Sequence, residues 1–205
     1  MAQERFLPEI ARFMREGPAK TAPCTTVVCL GSSIMRLWPL HMAETLLGRP
    51  VLNLAFGGSQ THDLVEHMDV LCDLVARSQP SYILFYCGSN DISYGSMAPD
   101  VFARAELFLT KILRTCREGT RCYVISVLAS PEKREDNMLY AQVVDYNAKL
   151  AHLCQKNTSM TFVDVNARMT STKGNLQKYF EFDGVHLTEQ GYEEWGRVIH
   201  GAVLA

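Results

Sequence analysis

Apolar residues along the chain fall into two alternating patterns. Short, mainly apolar runs at 27–30, 51–56, 82–87, 122–128 and 161–165 predict strands. Each is long enough for a strand buried on both faces and too short for a helix. Elsewhere apolar residues recur three or four apart, the spacing of one helical face. Phe6, Ile10 and Phe13 mark a helix over 3–16, and Leu64, Met68, Leu71 and Val75 another over 61–77. Phe102, Ala105, Leu109, Ile112 and Cys116 line a helix over 100–117, entered from Pro99 and left at Gly119. The same stripe returns as Leu139, Val143, Tyr146, Leu150 and Leu153 over 138–155, and as Tyr192, Trp195, Ile199 and Val203 over 188–203. Pro39 is placed to open a further helix through Leu47, ended by Gly48 and Pro50. Short buried strands alternating with amphipathic helices predict an α/β fold, a five-stranded parallel sheet with helices on both faces. The polar stretches through Asp136 and onward from Asn166 are expected to be loops.

In such sheets ligands bind outside the carboxyl ends of the strands. That rule gathers four punctuation marks onto one edge. Gly31-Ser32-Ser33, Gly57-Gly58-Ser59 and Gly88-Ser89-Asn90-Asp91 follow the first three strands directly, and Asp183-Gly184-Val185-His186 lies in the connection after the fifth. A neutral serine hydroxyl is a weak nucleophile and needs a base to take its proton. His186 supplies the side chain that titrates near neutrality, and Asp183 can accept its other ring N–H and fix the tautomer. A developing oxyanion needs fixed donors, worth about 3–4 kcal/mol each when well aimed. The backbone N–H groups of Ser33 and Gly58 and the side-chain amide of Asn90 are the candidates. Each piece also has a purely structural use. Ser32 or Ser33 can cap a helix, Gly57-Gly58 and Asp183-Gly184 can be turns, Asn90-Asp91 can bond its own backbone, and His186 can be a buried structural histidine. Their joint placement on one edge favours a site.

The ordered set Gly-x-Ser, a glycine after the second strand, Gly-x-Asn-Asp and Asp-x-x-His resembles the SGNH (GDSL-type) hydrolases, over about residues 25–195. The resemblance implies Ser33 as nucleophile, Ser33, Gly58 and Asn90 as oxyanion donors, and Asp183 and His186 as the other triad members. It also implies a three-layer α/β/α sandwich of flavodoxin-like type, no metal and no organic cofactor. Family activities include esterase, lysophospholipase, thioesterase and carbohydrate O-acetyl esterase. The usual first block is Gly-Asp-Ser, whereas Ser32 occupies its middle position here. Because that aspartate is not the triad acid, the chemistry is expected to survive. The run from Gly31 through Pro39 resembles a subgroup in which Gly-Ser-Ser is ordinary. The expectation is therefore a hydrolase of small or water-soluble carboxylic esters acting through an acyl-enzyme. A non-catalytic ligand-binding protein on the same fold is the alternative of a different class.

Composition narrows the partners. Twenty Lys and Arg against 22 Asp and Glu, a net charge of −2, leave no basic face for nucleic acid. No apolar stretch approaches the roughly 18 residues that span a bilayer, and the charged N-terminus with Pro8 does not resemble a signal peptide. Seven cysteines without Cys-x-x-Cys spacing suit a reducing compartment, so a cytoplasmic location is expected. The length predicts a single domain over 1–205, with 1–22 as an N-terminal helix and a linker between Pro18 and Pro23. Nothing in the sequence specifies an oligomeric state. Asp63 and His67 share metal-like spacing, but a surface ion pair is the expected use. Met35, Met42, Met68 and Met97 are expected as core fillers, and the charged run 132–136 as a solvated loop. Trp38 is expected in packing, and Tyr94 as a contact to substrate.

Overall fold

The computed structural model describes residues 6–16 and 27–204, so the linker expected at 18–23 lies outside the described residues. Helix α1 (Leu7–Glu16) precedes β1 (Val27–Gly31), which is followed by the short α2 (Ser33–Leu37). Then come α3 (Leu40–Leu47), β2 (Val51–Asn53), α4 (Thr61–Glu66) and α5 (Met68–Ser78). β3 (Tyr82–Tyr86) leads into α6 (Ser89–Ser93) and the long α7 (Ala98–Thr115). β4 (Arg121–Ile125), α8 (Pro131–Glu135), α9 (Asn137–Gln155) and β5 (Met160–Val163) follow. The described chain closes with α10 (Asn166–Met169), α11 (Lys173–Tyr179) and α12 (Glu189–Leu204).

The five strands form one all-parallel sheet in the order β2-β1-β3-β4-β5. The chain steps outward from β1 to β2 and then returns to place β3 on the other side. The strand order therefore reverses between β1 and β3, where a crevice opens at the carboxyl edge. Alternation along each strand feeds two cores. Val28, Leu30, Ile83, Phe85, Cys122 and Val124 meet side chains of α1, α5, α7 and α9. Val27, Cys29, Leu84, Tyr86, Tyr123 and Ile125 meet α2, α3 and α12. This is the expected three-layer arrangement, a sheet buried on both faces.

The differences from expectation have local causes. β2 stops at Asn53, whose Oδ1 accepts the Ala55 N–H at 3.1 Å and whose Nδ2 donates to Met35 O at 2.9 Å. Residues 54–56 remain buried beyond the strand, and Leu54 and Phe56 N–H still donate to Cys29 O and Gly31 O of β1, both at 2.9 Å. The expected fourth strand ends at Ile125, because side chains take over its backbone partners. Asn147 Oδ1 accepts from Val127 N at 2.8 Å, and Tyr86 OH from Leu128 N at 3.3 Å. The fifth is likewise shifted, starting at Met160 and ending at Val163.

The helix expected over 61–77 breaks at His67, whose ring packs edge-on against Phe6 and Phe56. Asp63 and His67 form no surface pair: Asp63 is buried, accepts the Gln60 N–H at 2.7 Å and pairs with His62 at 3.2 Å. The run 132–136 is not a solvated loop either, since most of it forms α8 and Lys133 is fully buried. The polar stretch after Asn166 contains α10 and α11. Met97 is half-exposed rather than a core filler, while Met35 is fully buried.

Candidate active site

The first rim segment is built around a backbone contact. Gly31 pairs with Tyr86 across the sheet, and a Cβ at Gly31 would lie 1.9 Å from Tyr86 O. Its φ of 141° is also one that L side chains rarely adopt, so glycine is required twice over. Ser32 N–H donates to Tyr86 O at 3.0 Å, and the chain turns into α2 with Ser33 as its first residue. Ser33 is half-buried, at the end of β1 beside the crevice.

His186 arrives from a connection 153 residues away in sequence, yet its Nε2 lies 3.0 Å from Ser33 Oγ. The connection is anchored by buried Phe180 and Leu187, which form an antiparallel bridge, and by Glu181 N–H donating to His186 O at 2.8 Å. Within it Asp183 divides its two oxygens. Oδ1 accepts the backbone N–H groups of Val185 and His186, both at 2.9 Å, and Oδ2 lies 2.6 Å from His186 Nδ1. An ionised carboxylate only accepts, so Nδ1 is the nitrogen that donates to Asp183, and in the neutral ring this leaves the Nε2 lone pair facing the serine hydroxyl. Partial desolvation pushes the Asp183 carboxyl upward, but the hydrogen bonds from His186 and Val185 outweigh it and hold the carboxyl below its ordinary value.

The other two segments are joined to the first by hydrogen bonds. Ser59 Oγ donates to Gly31 O at 3.2 Å, which sets the Gly57-Gly58-Ser59 turn beside Ser33. Gly58 has a left-handed φ of 75° in this turn. Asn90 Nδ2 donates to Ser59 O at 2.8 Å, bringing the segment after β3 against the segment after β2. Ser33, Gly58, Asn90, Asp183 and His186 thus lie on one rim at the β1–β3 reversal. Tyr94 is not joined to this set by a side-chain hydrogen bond and is 70% exposed at the end of α6. Trp38 is a packing residue, edge-on to Trp195 at 4.9 Å.

The Asp91 side chain does not bond its own loop, the structural use its sequence allowed, but reaches other elements. Its carboxylate is fully buried and accepts Thr61 N–H at 2.9 Å, Thr61 Oγ1 at 2.6 Å and Arg104 Nη2 at 3.2 Å. Asp91 therefore locks the helix carrying Asn90 to α4 and α7. The polar run Ser59-Gln60-Thr61 ahead of α4 was the available signal, but it reads equally well as an ordinary helix start. Among the described residues no group of three His, Cys, Asp or Glu side chains is gathered as a metal site, and no helix is long and apolar enough to cross a membrane.

A five-stranded parallel sheet in this order, covered by helices on both faces, is the fold of the SGNH hydrolases. Residues 26–194 match the GDSL-like Lipase/Acylhydrolase family, and the chain belongs to that family. No curated protein matches it in sequence. Its structure is similar to a Streptococcus pneumoniae protein provisionally described as a platelet activating factor, with TM-score 0.79 and 19% identity over 98% of this chain and 94% of that one. A GDSL-like lipase from Bacteroides thetaiotaomicron superposes with TM-score 0.75 and 18% identity, over 95% of this chain and 97% of its own. A family 3 carbohydrate esterase from Talaromyces cellulolyticus gives 0.69 and 16%, over 88% and 96%. At such identities the likeness is one of fold.

Proposed function

We propose that the chain is a serine esterase cleaving small or water-soluble carboxylic esters through an acyl-enzyme. Ser33 Oγ attacks the acyl carbon while His186 Nε2 takes its proton, and the oxyanion is held by the N–H groups of Ser33 and Gly58 and the amide of Asn90. Asp183 keeps the ring in the productive tautomer and stabilises the imidazolium. Collapse expels the alcohol, which receives the proton from His186. Water then attacks the acyl-enzyme with His186 again as base, releasing the acid and restoring Ser33. The observation that carries this reading is the 3.0 Å approach of His186 Nε2 to Ser33 Oγ, with Asp183 on the far side of the ring at 2.6 Å. Membership of an acylhydrolase family supports it. The open setting of His186 and Asp183, whose side chains are 33% and 49% exposed, supports a substrate delivered from water.

A fluorophosphonate probe tests the mechanism directly. It is expected to label the wild-type chain at Ser33 and to label neither Ser33→Ala nor His186→Ala. Ser33→Ala is also expected to lose turnover of p-nitrophenyl acetate by several orders of magnitude, up to about 10⁶-fold. Undiminished hydrolysis by that variant would sink the reading. No labelling and no hydrolysis by the wild type, against p-nitrophenyl esters of increasing chain length and acetylated sugars, would favour a binding protein.

A further inference from the structure

Two of the rim segments are tied together by a buried charge. Lys133 of α8 is fully buried although it stands among charged neighbours. Its Nζ donates to Ser93 Oγ and to Glu132 Oε2, each at 2.5 Å. Ser93 Oγ in turn donates to Glu132 Oε1 at 2.8 Å, closing a ring of three side chains. The backbone extends the ring to the catalytic loop: Glu132 N–H donates to Gly184 O at 3.2 Å. Contact there is close enough that a Cβ at Gly184 would sit 3.3 Å from Pro131 Cβ. On the other side, Ser93 lies one helical turn beyond Asn90 in α6.

Stability alone does not explain a charged lysine in this position. A buried ion pair gains little over apolar side chains of the same volume, because both charges must first leave water. What charged hydrogen bonds add is direction, since they fix donor–acceptor separations that a packed methylene leaves adjustable. The segments joined here originate after β3, after β4 and after β5, and no continuous element spans them.

We propose that Lys133 and Glu132, closed by Ser93, are positioning residues that hold the Asn90 amide and the Asp183–His186 pair at a fixed separation across the rim. The inference rests on the serine-esterase reading above. In that reaction the oxyanion and the transferred proton belong to one transition state, so the donor and the base must be correctly spaced together. A displacement of about 1 Å costs on the order of 10²-fold in rate.

The test uses the full chain with p-nitrophenyl acetate as probe and follows kcat, KM and the denaturation midpoint. Lys133→Met keeps the volume and removes the charge. Ser93→Ala is the milder variant and leaves the Lys133–Glu132 pair in place. The expected kcat loss is about 10²-fold for Lys133→Met and roughly tenfold for Ser93→Ala, with KM nearly unchanged. When Lys133→Met is added to Asn90→Ala, the combined loss is expected to fall well short of the product of the two single losses, because the donor being positioned is already gone. A fully multiplicative loss, or a folded Lys133→Met with wild-type kcat, overturns the proposal. If Lys133→Met does not fold, Ser93→Ala decides alone, and unaltered kcat there overturns it too. Fluorophosphonate labelling of the wild type reports the esterase reading separately, so a labelled Ser33 with an indifferent Lys133 removes only the positioning role.

Discussion

At the scale of single residues, Asp183 carries the most definite expectation. Its carboxyl is held below the ordinary value of 3.8, so the anion persists to lower pH than an isolated aspartate would. On acidification the Asp183 carboxyl carbon, followed by NMR, is therefore expected to report protonation only below 3.8. Protonation at or above that value would mean that its hydrogen bonds are weaker than their geometry implies. Asp183→Asn gives the complementary measurement. An amide can present its N–H to Nδ1, which turns the ring to the wrong tautomer, and the expected kcat loss is on the order of 10⁴-fold. These residues were legible in the sequence because the carboxyl-edge rule converts four separate turns into one location. Lys133 was not legible. A lysine among charges reads as solvated, and only the three-dimensional meeting of Ser93, Glu132 and Gly184 makes its burial tolerable.

At the scale of elements, the short α6 is held from both ends. Ser93 is bound by the α8 cluster, and Asp91 reaches Thr61 and Arg104. Removing a fully buried acceptor leaves several donors unsatisfied, so Asp91→Ala is expected to destabilise the fold by about 3–5 kcal/mol. Asp73 offers the contrast, because its pair with Arg77 is 62% and 48% exposed in the two side chains. Asp73→Ala is expected to change stability by less than about 1 kcal/mol. Urea midpoints at constant slope measure both, and near-equal values would refute the assignment of Asp91 as the lock. Long helices and strand positions were readable because their periodicity reports burial. Element ends were not, since β4 stops where Asn147 and Tyr86 side chains take its N–H groups, and the register of β2 ends at Asn53 although Leu54 and Phe56 N–H still donate to β1. The break at His67 was hidden for a related reason. Leu64, Leu71 and Val75 stay buried across it, so the apolar stripe continues although the helix does not.

At the scale of the molecule, the sheet is sealed on both faces, and its thiols report how it opens. The six described cysteines are all free. Cys29 in β1, Cys122 in β4 and Cys87 at the end of β3 are completely or almost completely buried. Burial pushes the Cys29 thiol up to about 12 and raises those of Cys87 and Cys122 as well. A raised value keeps the sulfur protonated at neutral pH, and the thiolate is the reactive form, so accessibility and chemistry both protect these positions. Alkylation of all three is expected only through global unfolding, with a denaturant dependence equal to that of the whole chain. Cys87 is the informative one, because it immediately precedes Gly88-Ser89-Asn90 on the rim. If the rim is as firmly braced as Asp91 and Lys133 imply, iodoacetamide labelling of Cys87, followed by mass spectrometry, keeps pace with Cys29 and Cys122. Labelling of Cys87 well ahead of the other two would show that the segment carrying Asn90 opens by itself, and a donor on a segment that opens independently is not held in register with His186.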